Sequence, residues 1–344
     1  MKLAVTPDRV AAGAALAFAA IAPLILTGYW IGTLMTQMLI LGIAAASLIF
    51  LSAYGGMLSL AQVSIYGIAG FVLGNVTTNG NTKGLNLGWN PWWGVLLGLA
   101  FAVAIGLLFG ALASRSVGIY FLMITLTYSV IANLFFGQVT DVSGFGGISG
   151  IPTPHLIGSA TAHQNRLYYV ALGVALAVYV LLRYIVRTPF GVTLQGLRDD
   201  PVRMSSLGYN VALHRTMAFG FASLVAAAGG VLFVWWNGHI DPTSIGLANT
   251  INVLVIAVVG GLHRIEGAWV GALFFVILNN YSQQISFIGP RFATLIGAIF
   301  LVIVLVSPGG LMGLWESAVK FTSGRRRGPT DRDSINLAKA EPTI

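Results

Sequence analysis

The sequence predicts an all-α, polytopic integral membrane protein of about ten hydrophobic segments, some broken or re-entrant, with both termini cytoplasmic. Three observations predict this. Of 344 residues, 56% are apolar and only 8% are Asp, Glu, Lys or Arg, against roughly a quarter charged in an ordinary soluble domain. The few charges are clustered: residues 10–82 carry none, and further uncharged runs cover 84–114, 116–140, 167–182, 216–240, 242–263, 267–290 and 292–315. The basic residues between these runs are distributed unevenly. Such a composition excludes a soluble enzyme, a disordered chain and a nucleic-acid binder. There is no cysteine, so neither disulfides nor thiolate metal sites can form.

A membrane-spanning helix needs about 20 mostly apolar residues, so the long runs hold more than one. Turn residues divide them, at Gly28-Tyr29 and at Tyr54-Gly55-Gly56. The resulting spans are 10–27, 30–51, 57–76, 91–113, 117–136, 167–187, 214–236, 248–262, 267–285 and 290–306. The first runs straight into a second span and so reads as a span, not a cleaved signal. The eighth is short and reads as tilted, broken or re-entrant.

Orientation follows from Lys and Arg in the loops. With residues 1–9 placed inside, 15 of the 18 basic residues fall on the inner side; Lys83, Arg166 and Arg291 fall outside. The transmembrane part is then 10–306, with an outer loop at 137–166, an inner loop at 188–213 and a basic cytoplasmic tail at 307–344. Arg325-Arg326-Arg327 reads as an anchor at anionic lipid. Tyr29, Trp30, Trp89, Trp92, Trp93, Tyr168, Tyr169, Trp235 and Trp236 all fall at expected outer ends, where rings favour the headgroup level. Pro91 sits at a first helical position, where a missing N–H costs nothing.

Chemistry is sparse. No nucleotide-binding glycine loop occurs, so the chain should not hydrolyse ATP itself. No tight metal-ligand cluster or nucleophile elbow occurs; His155 and His163 read as solvated loop residues rather than a metal pair. No catalytic residue, cofactor or metal is expected. The spans hold almost no ionisable groups, which argues against a secondary carrier or a voltage sensor.

One inner loop stands out. Asp200-Pro201 reads as a helix cap followed by proline at the first position, and Gly208 as the stop. The helix between them is about two turns, too short to stand alone. It either docks into a soluble partner or lies on the membrane. The next span, Met217 to Val231, is rich in Ala and Gly and so suited to the centre of a bundle.

An ordered set of motifs then points to a family. These are Tyr54-Gly55-Gly56-Met57-Leu58-Ser59-Leu60; Gly118-Ile119-Tyr120-Phe121 with Thr125-Leu126; Gly144-Phe145-Gly146-Gly147-Ile148-Ser149-Gly150-Ile151-Pro152; Arg198-Asp199 with Leu207-Gly208; Val259-Gly260-Gly261-Leu262 with Glu266-Gly267; and Pro308-Gly309-Gly310-Leu311. Over roughly residues 30–315 the chain resembles the permease subunits of branched-chain amino acid ABC importers, and more closely the longer of the two partners. It departs from the pattern at Met204-Ser205-Ser206, His263-Arg264-Ile265 and Ser307.

The resemblance implies a bacterial inner-membrane permease that forms half of a path for branched-chain or other hydrophobic amino acids. Urea or short amides are the alternative within the family; a self-sufficient channel or carrier is the alternative outside it. Implied partners are a second, similar permease, two ATP-binding cassette subunits, a soluble extracytoplasmic binding protein and membrane lipid, with no nucleic acid. The loop helix would dock on the ATPase through Arg198, Asp199, Asp200, Pro201 and Arg203, with Gly208 as its exit turn.

An amino-acid path needs polar groups, which broken helices can supply. Breaks are expected in two places, Gly55-Gly56 through Gly70 and Gly260-Gly261 through Gly271. Ser59, Gln62, Ser64 and Tyr66 either line a path or bond to neighbouring helices. Gly146 and Gly147 lie in an outer loop that is either a gate, a docking surface or simply flexible. Asn237, His239 and Asp241 are either docking contacts or solvated.

Overall fold

The computed structural model describes residues 19, 21–23, 28–79, 84–116, 118–154, 164–282, 292–307 and 309–314. The expected span 10–27, His155, His163, Pro308 and the basic tail beyond 314 lie wholly or largely outside them.

The helices in order are α1 (Trp30–Gly55), α2 (Gln62–Thr77), α3 (Pro91–Ala113), α4 (Ile119–Gln138), α5 (Gln164–Arg187), α6 (Pro189–Asp199), α7 (Pro201–Ser206), α8 (Val211–Asn237), α9 (Leu247–Gly260), α10 (Gly267–Ser282) and α11 (Phe292–Val306). Two short strands, β1 (Ile148–Ser149) and β2 (His239–Ile240), pair antiparallel, Ile148 opposite Ile240. A single 3₁₀ turn, Pro242–Ile245, leads into α9.

Many starts follow one local rule. A short polar side chain caps the helix and proline takes the first position. Asn90 accepts from the Trp92 N–H at 3.1 Å, Thr188 from Gly191 at 3.5 Å, Asp200 from Arg203 at 2.9 Å and Asp241 from Ser244 at 2.8 Å. Each satisfies a donor that the first turn would leave unpaired. α1 opens as a π-helix over Trp30–Met35. There the Gly32 carbonyl accepts from the Trp236 indole N–H at 2.7 Å.

Among the described residues five helices, α1, α3, α4, α5 and α8, are long and apolar enough to cross a membrane. Five such helices in one chain make it a multi-pass membrane protein. α2 and α9 have only 16 and 14 residues, and the described parts of α10 and α11 are 16 and 15 residues. The expected span 57–76 loses its start because Gly56, in the left-handed region at φ 64°, ends α1, and no helix resumes until Gln62. At about 1.5 Å per residue α9 is roughly 21 Å long, short of a hydrocarbon core of about 30 Å.

α1 and α8 form the centre. Their apolar stretches are 78% and 72% buried, against 22–28% for α3, α4 and α5. α8 packs on α1, α2 and α3, and α10 packs on α1 and α9. Small residues permit this. α3 buries Gly94, Gly98, Ala102, Gly106 and Gly110, one per turn. A Cβ on Gly98 would stand 2.9 Å from the Ala69 carbonyl oxygen on α2, and one on Gly106 would stand 2.0 Å from Ser223 Oγ on α8. Without a hydrophobic drive inside lipid, such close approach is what holds helices together.

The aromatic residues divide. Tyr29, Trp89, Trp92, Trp93 and Tyr169 are exposed, but Tyr168 and Trp235 are buried. Tyr168 and Trp236 each donate to a backbone carbonyl. These rings are therefore spent on helix packing rather than on the headgroup layer.

Candidate functional site: a capped surface helix seated on a broken span

α6 and α7 make an angled unit between α5 and α8. α6 is amphipathic, burying Gly191, Leu194 and Leu197. Leu194 packs close to Gly55, at the end of α1. α7 buries nothing. Val202 is 75% exposed and Leu207 66%; Asp199, Asp200 and Arg203 are also exposed. Gly208 leaves the helix at φ 91°, a turn that only glycine takes readily. The expected cap, start and stop are thus all present. A six-residue helix with Val202 bare on its surface and Leu207 bare just past its end has no intrinsic stability, so its sharp local punctuation holds it in shape.

Arg198 is placed differently from the exposed carboxylates. Its guanidinium donates to the Ala53 carbonyl at the end of α1 and to Asp199 Oδ1 at 2.9 Å. The carbonyls of a last helical turn lack partners and carry partial negative charge. Arg198 supplies both a donor and a cation there. Its stem lies against Gly56, where a Cβ would come within 2.6 Å of Arg198 Cγ. Glycine at 56 is thus required by its backbone and by this contact. The arginine ties the surface unit to the point where α1 breaks.

A second tie lies at the same end. Arg183 on α5 bonds Glu266, which precedes α10, and Tyr179 donates to Glu266 Oε1 at 2.8 Å. Arg183 also donates to the Tyr179 hydroxyl at 3.2 Å. One carboxylate before α10 thereby gathers two side chains of α5.

Within the break and just past it, Ser59, Gln62, Ser64 and Tyr66 are all buried. Ser64 donates to the Ala61 carbonyl at 2.7 Å and Ser59 Oγ accepts from the Ala61 N–H at 3.3 Å, both within their own segment. The Tyr66 ring packs against Phe233 of α8, centroids 5.5 Å apart, and beside Gly229. Gln62 is 0% exposed, and neither amide atom has a partner. A buried, unsatisfied carboxamide is costly and calls for an explanation.

Gly146 and Gly147 stand apart from that group. Gly147, at φ 67°, fits only because its missing Cβ would fall 2.3 Å from the Ile240 carbonyl oxygen. The loop's Ile148 and Ile151 sit on α2 at Gly74, roughly 18 Å along the helix from Gln62. The six residues expected on one path therefore occupy two levels. His239 joins the upper level: Nδ1 is 2.9 Å from Ser149 Oγ, and Nε2 is 3.5 Å from Asp241 Oδ2. Burial alone would raise the Asp241 carboxyl, but hydrogen bonds from Thr243 and Ser244, together with His239, outweigh it and hold the carboxyl below its ordinary 3.8.

Between the levels lies a polar row that sequence reasoning missed. Thr125 Oγ1 accepts from the Leu60 N–H at 3.2 Å, inside the break. Ser129 Oγ is 3.1 Å from Thr250 Oγ1, and Asn133 donates to the Pro242 carbonyl at 2.5 Å. Thr125, Ser129 and Asn133 recur every four residues on α4. That spacing in an apolar helix was the available signal, since it sets three polar groups on one face. No group of three or more His, Asp or Glu that could hold a metal occurs among the described residues.

The model of the family described as branched-chain amino acid transport system / permease component matches residues 30–305. The chain belongs to that permease family. It is 24% identical over 247 residues to the high-affinity branched-chain amino acid transport system permease protein LivM of Salmonella typhimurium, covering 65% of this chain and 57% of that one. To the permease protein LivH of Escherichia coli it is 27% identical over 156 residues, covering 45% and 49%. The chain thus spans little more than half the length of the curated relatives it matches. Among solved structures, PsaBC from Streptococcus pneumoniae in complex with Fab aligns over 86% of this chain and 97% of that one, at 14% identity and a TM-score of 0.44. That likeness is too loose to carry an argument. In this chain the surface unit α6–α7, the Arg198 tie and the α1 break lie together at one end of the bundle.

Proposed function

We propose that this permease-family chain is one membrane-spanning subunit of an ATP-driven importer and forms half of a path for branched-chain or other hydrophobic amino acids. Relatives named LivM and LivH are both branched-chain amino acid transport permeases, which supports pairing with a second, similar permease. Two ATP-hydrolysing subunits and a soluble extracytoplasmic binding protein complete the proposed assembly. The chain resides in the bacterial inner membrane with both termini cytoplasmic, and residues 10–306 form its transport domain. The basic-residue asymmetry supports that orientation.

The single observation that carries the reading is α7: a capped helix with no buried residue, tied through the neighbouring Arg198 to the end of α1, in a chain with no nucleotide-binding motif. Asp199, Asp200, Pro201 and Arg203 form the docking face, Gly208 the exit, and Arg198 the link that transmits movement into the bundle. At the break, Ser59, Gln62 and Ser64 contribute to the path, and Tyr66 packs it against α8. The unpaired Gln62 amide supports this, because a passing solute would satisfy it. Gly146 and Gly147 belong to the outer entrance.

Ionisable side chains in the described long helices lie near their ends (Arg166, Arg183, Arg187, His214 and Arg215), which disfavours a carrier driven by proton or sodium. The test is uptake in liposomes. The chain alone should move no amino acid; the complete assembly with ATP should. Nucleotide-independent accumulation by the lone chain would overturn the reading.

A further inference from the structure

A cleft of about 280 Å³ opens beside the α1 break, on the same end as α6–α7. Its walls are Gly56, Met57 and Leu58 of the break, Ser116 and Gly118 of the α3–α4 turn, Ile119, Phe121 and Leu122 of α4, and Arg215 of α8. Almost everything lining it is apolar or backbone, except one cation. Arg215 Nη1 donates to the Ser114 carbonyl at a long 3.4 Å. Its Nε is buried with no partner. The carboxylates Asp199, Asp241 and Glu266 pair elsewhere, and no described carboxylate pairs with Arg215.

A guanidinium against an apolar wall without a counterion is unfavourable unless something anionic completes it. The same cleft receives the first turn of α4, which begins at Ile119 after Gly118 and has no side-chain cap. Its unpaired N–H groups favour an anion. The next residues along α4, Ile119, Tyr120 and Met123, are 66%, 71% and 58% exposed. In a membrane protein such a surface faces acyl chains. An anion recognised here therefore carries a hydrophobic body.

We propose that this cleft binds the phosphate-bearing headgroup of an anionic phospholipid, held by Arg215 and the first turn of α4, with the acyl chains lying along Ile119 and Met123. Guanidinium suits phosphate because its planar fork meets two oxygens at once. The inference needs only the membrane embedding, not the transport reading, and its test involves no transport.

The test is native mass spectrometry of the full-length protein after detergent exchange with phosphatidylglycerol or phosphatidylcholine, alongside thermal unfolding with each lipid or with inorganic phosphate. The wild type should retain phosphatidylglycerol and gain stability from it, and excess inorganic phosphate should not displace it. Arg215→Gln should lose that retention at least about tenfold, as expected when a charge-assisted hydrogen-bond pair is removed. Ser116→Trp fills the cleft with Arg215 intact and should lose it too, which covers a failure of Arg215→Gln to fold. Arg115→Gln, at an exposed neighbouring arginine outside the cleft, should retain it. Equal retention by Arg215→Gln and Ser116→Trp, or an equal loss in Arg115→Gln, would overturn the site. Stabilisation by inorganic phosphate without lipid retention would overturn the lipid as its source.

Discussion

Gly230→Ala should unfold the centre of this protein in detergent at a temperature well below the wild type. The added methyl would lie 1.9 Å from the Tyr66 carbonyl oxygen and 2.8 Å from its carbon. Neither atom can rotate away, because both belong to the backbone of α2. The helices must separate, and α8 also packs on α1 and α3, so the strain spreads. Overpacking of a filled core typically costs 1–3 kcal/mol and occasionally more, and about 3 kcal/mol is expected here. Gly173→Ala on α5 is the matched comparison. Nothing stands within 4 Å of its Cβ position, and alanine is the better helix former by roughly 1 kcal/mol. That variant should be neutral or slightly more stable. Equal melting temperatures for the two would show that close α2–α8 packing does not hold the bundle together.

Reversing Asp199 and Asp200 to lysine should abolish association with the proposed ATP-hydrolysing subunit, and the proposed ATP-driven uptake, while leaving the membrane part folded. Asp200 caps α7 through the Arg203 N–H, and losing a cap costs about 1 kcal/mol. A longer helix would absorb that; a six-residue one has no reserve. Asp199 balances the guanidinium that holds Ala53, so its reversal also loosens the seat on α1. Asp200→Asn keeps a good cap and removes only the charge. If that variant retains association, Asp200 acts by shaping the helix; if it loses association, the carboxylate itself makes contact. Full uptake by the double reversal would remove both residues from the coupling role.

The sequence showed where helices begin better than how far they run. Asp200-Pro201 and Asn90-Pro91 act within four residues, so their geometry is local and readable. The break after Gly56 was visible as Gly55-Gly56, but its length was not. The break is held by distant partners: Arg198 meets the last turn of α1, and Thr125, 65 positions beyond Leu60, accepts the Leu60 N–H. Hydropathy gave no warning that Gln62 would be buried without a partner, or that Trp235 would turn inward. Both follow from which helix lies opposite. The candidate site was legible as residue types and not as two levels, because Ser59 and Gly147 are related only through packing along α2.

The most direct measurement uses the absence of cysteine from the chain, which makes any introduced thiol unique. Val202→Cys places one on the exposed face of α7, and Phe145→Cys places one on the loop at the other end of the bundle, proposed to face outward, where that side chain is 74% exposed. In intact spheroplasts a membrane-impermeant maleimide should label the Phe145 variant and spare the Val202 variant until the membrane is opened. In the assembled complex the Val202 thiol should then cross-link to the ATP-hydrolysing subunit. Labelling of the Val202 variant from outside, or no cross-link in a complex that still takes up solute with ATP, would contradict the account.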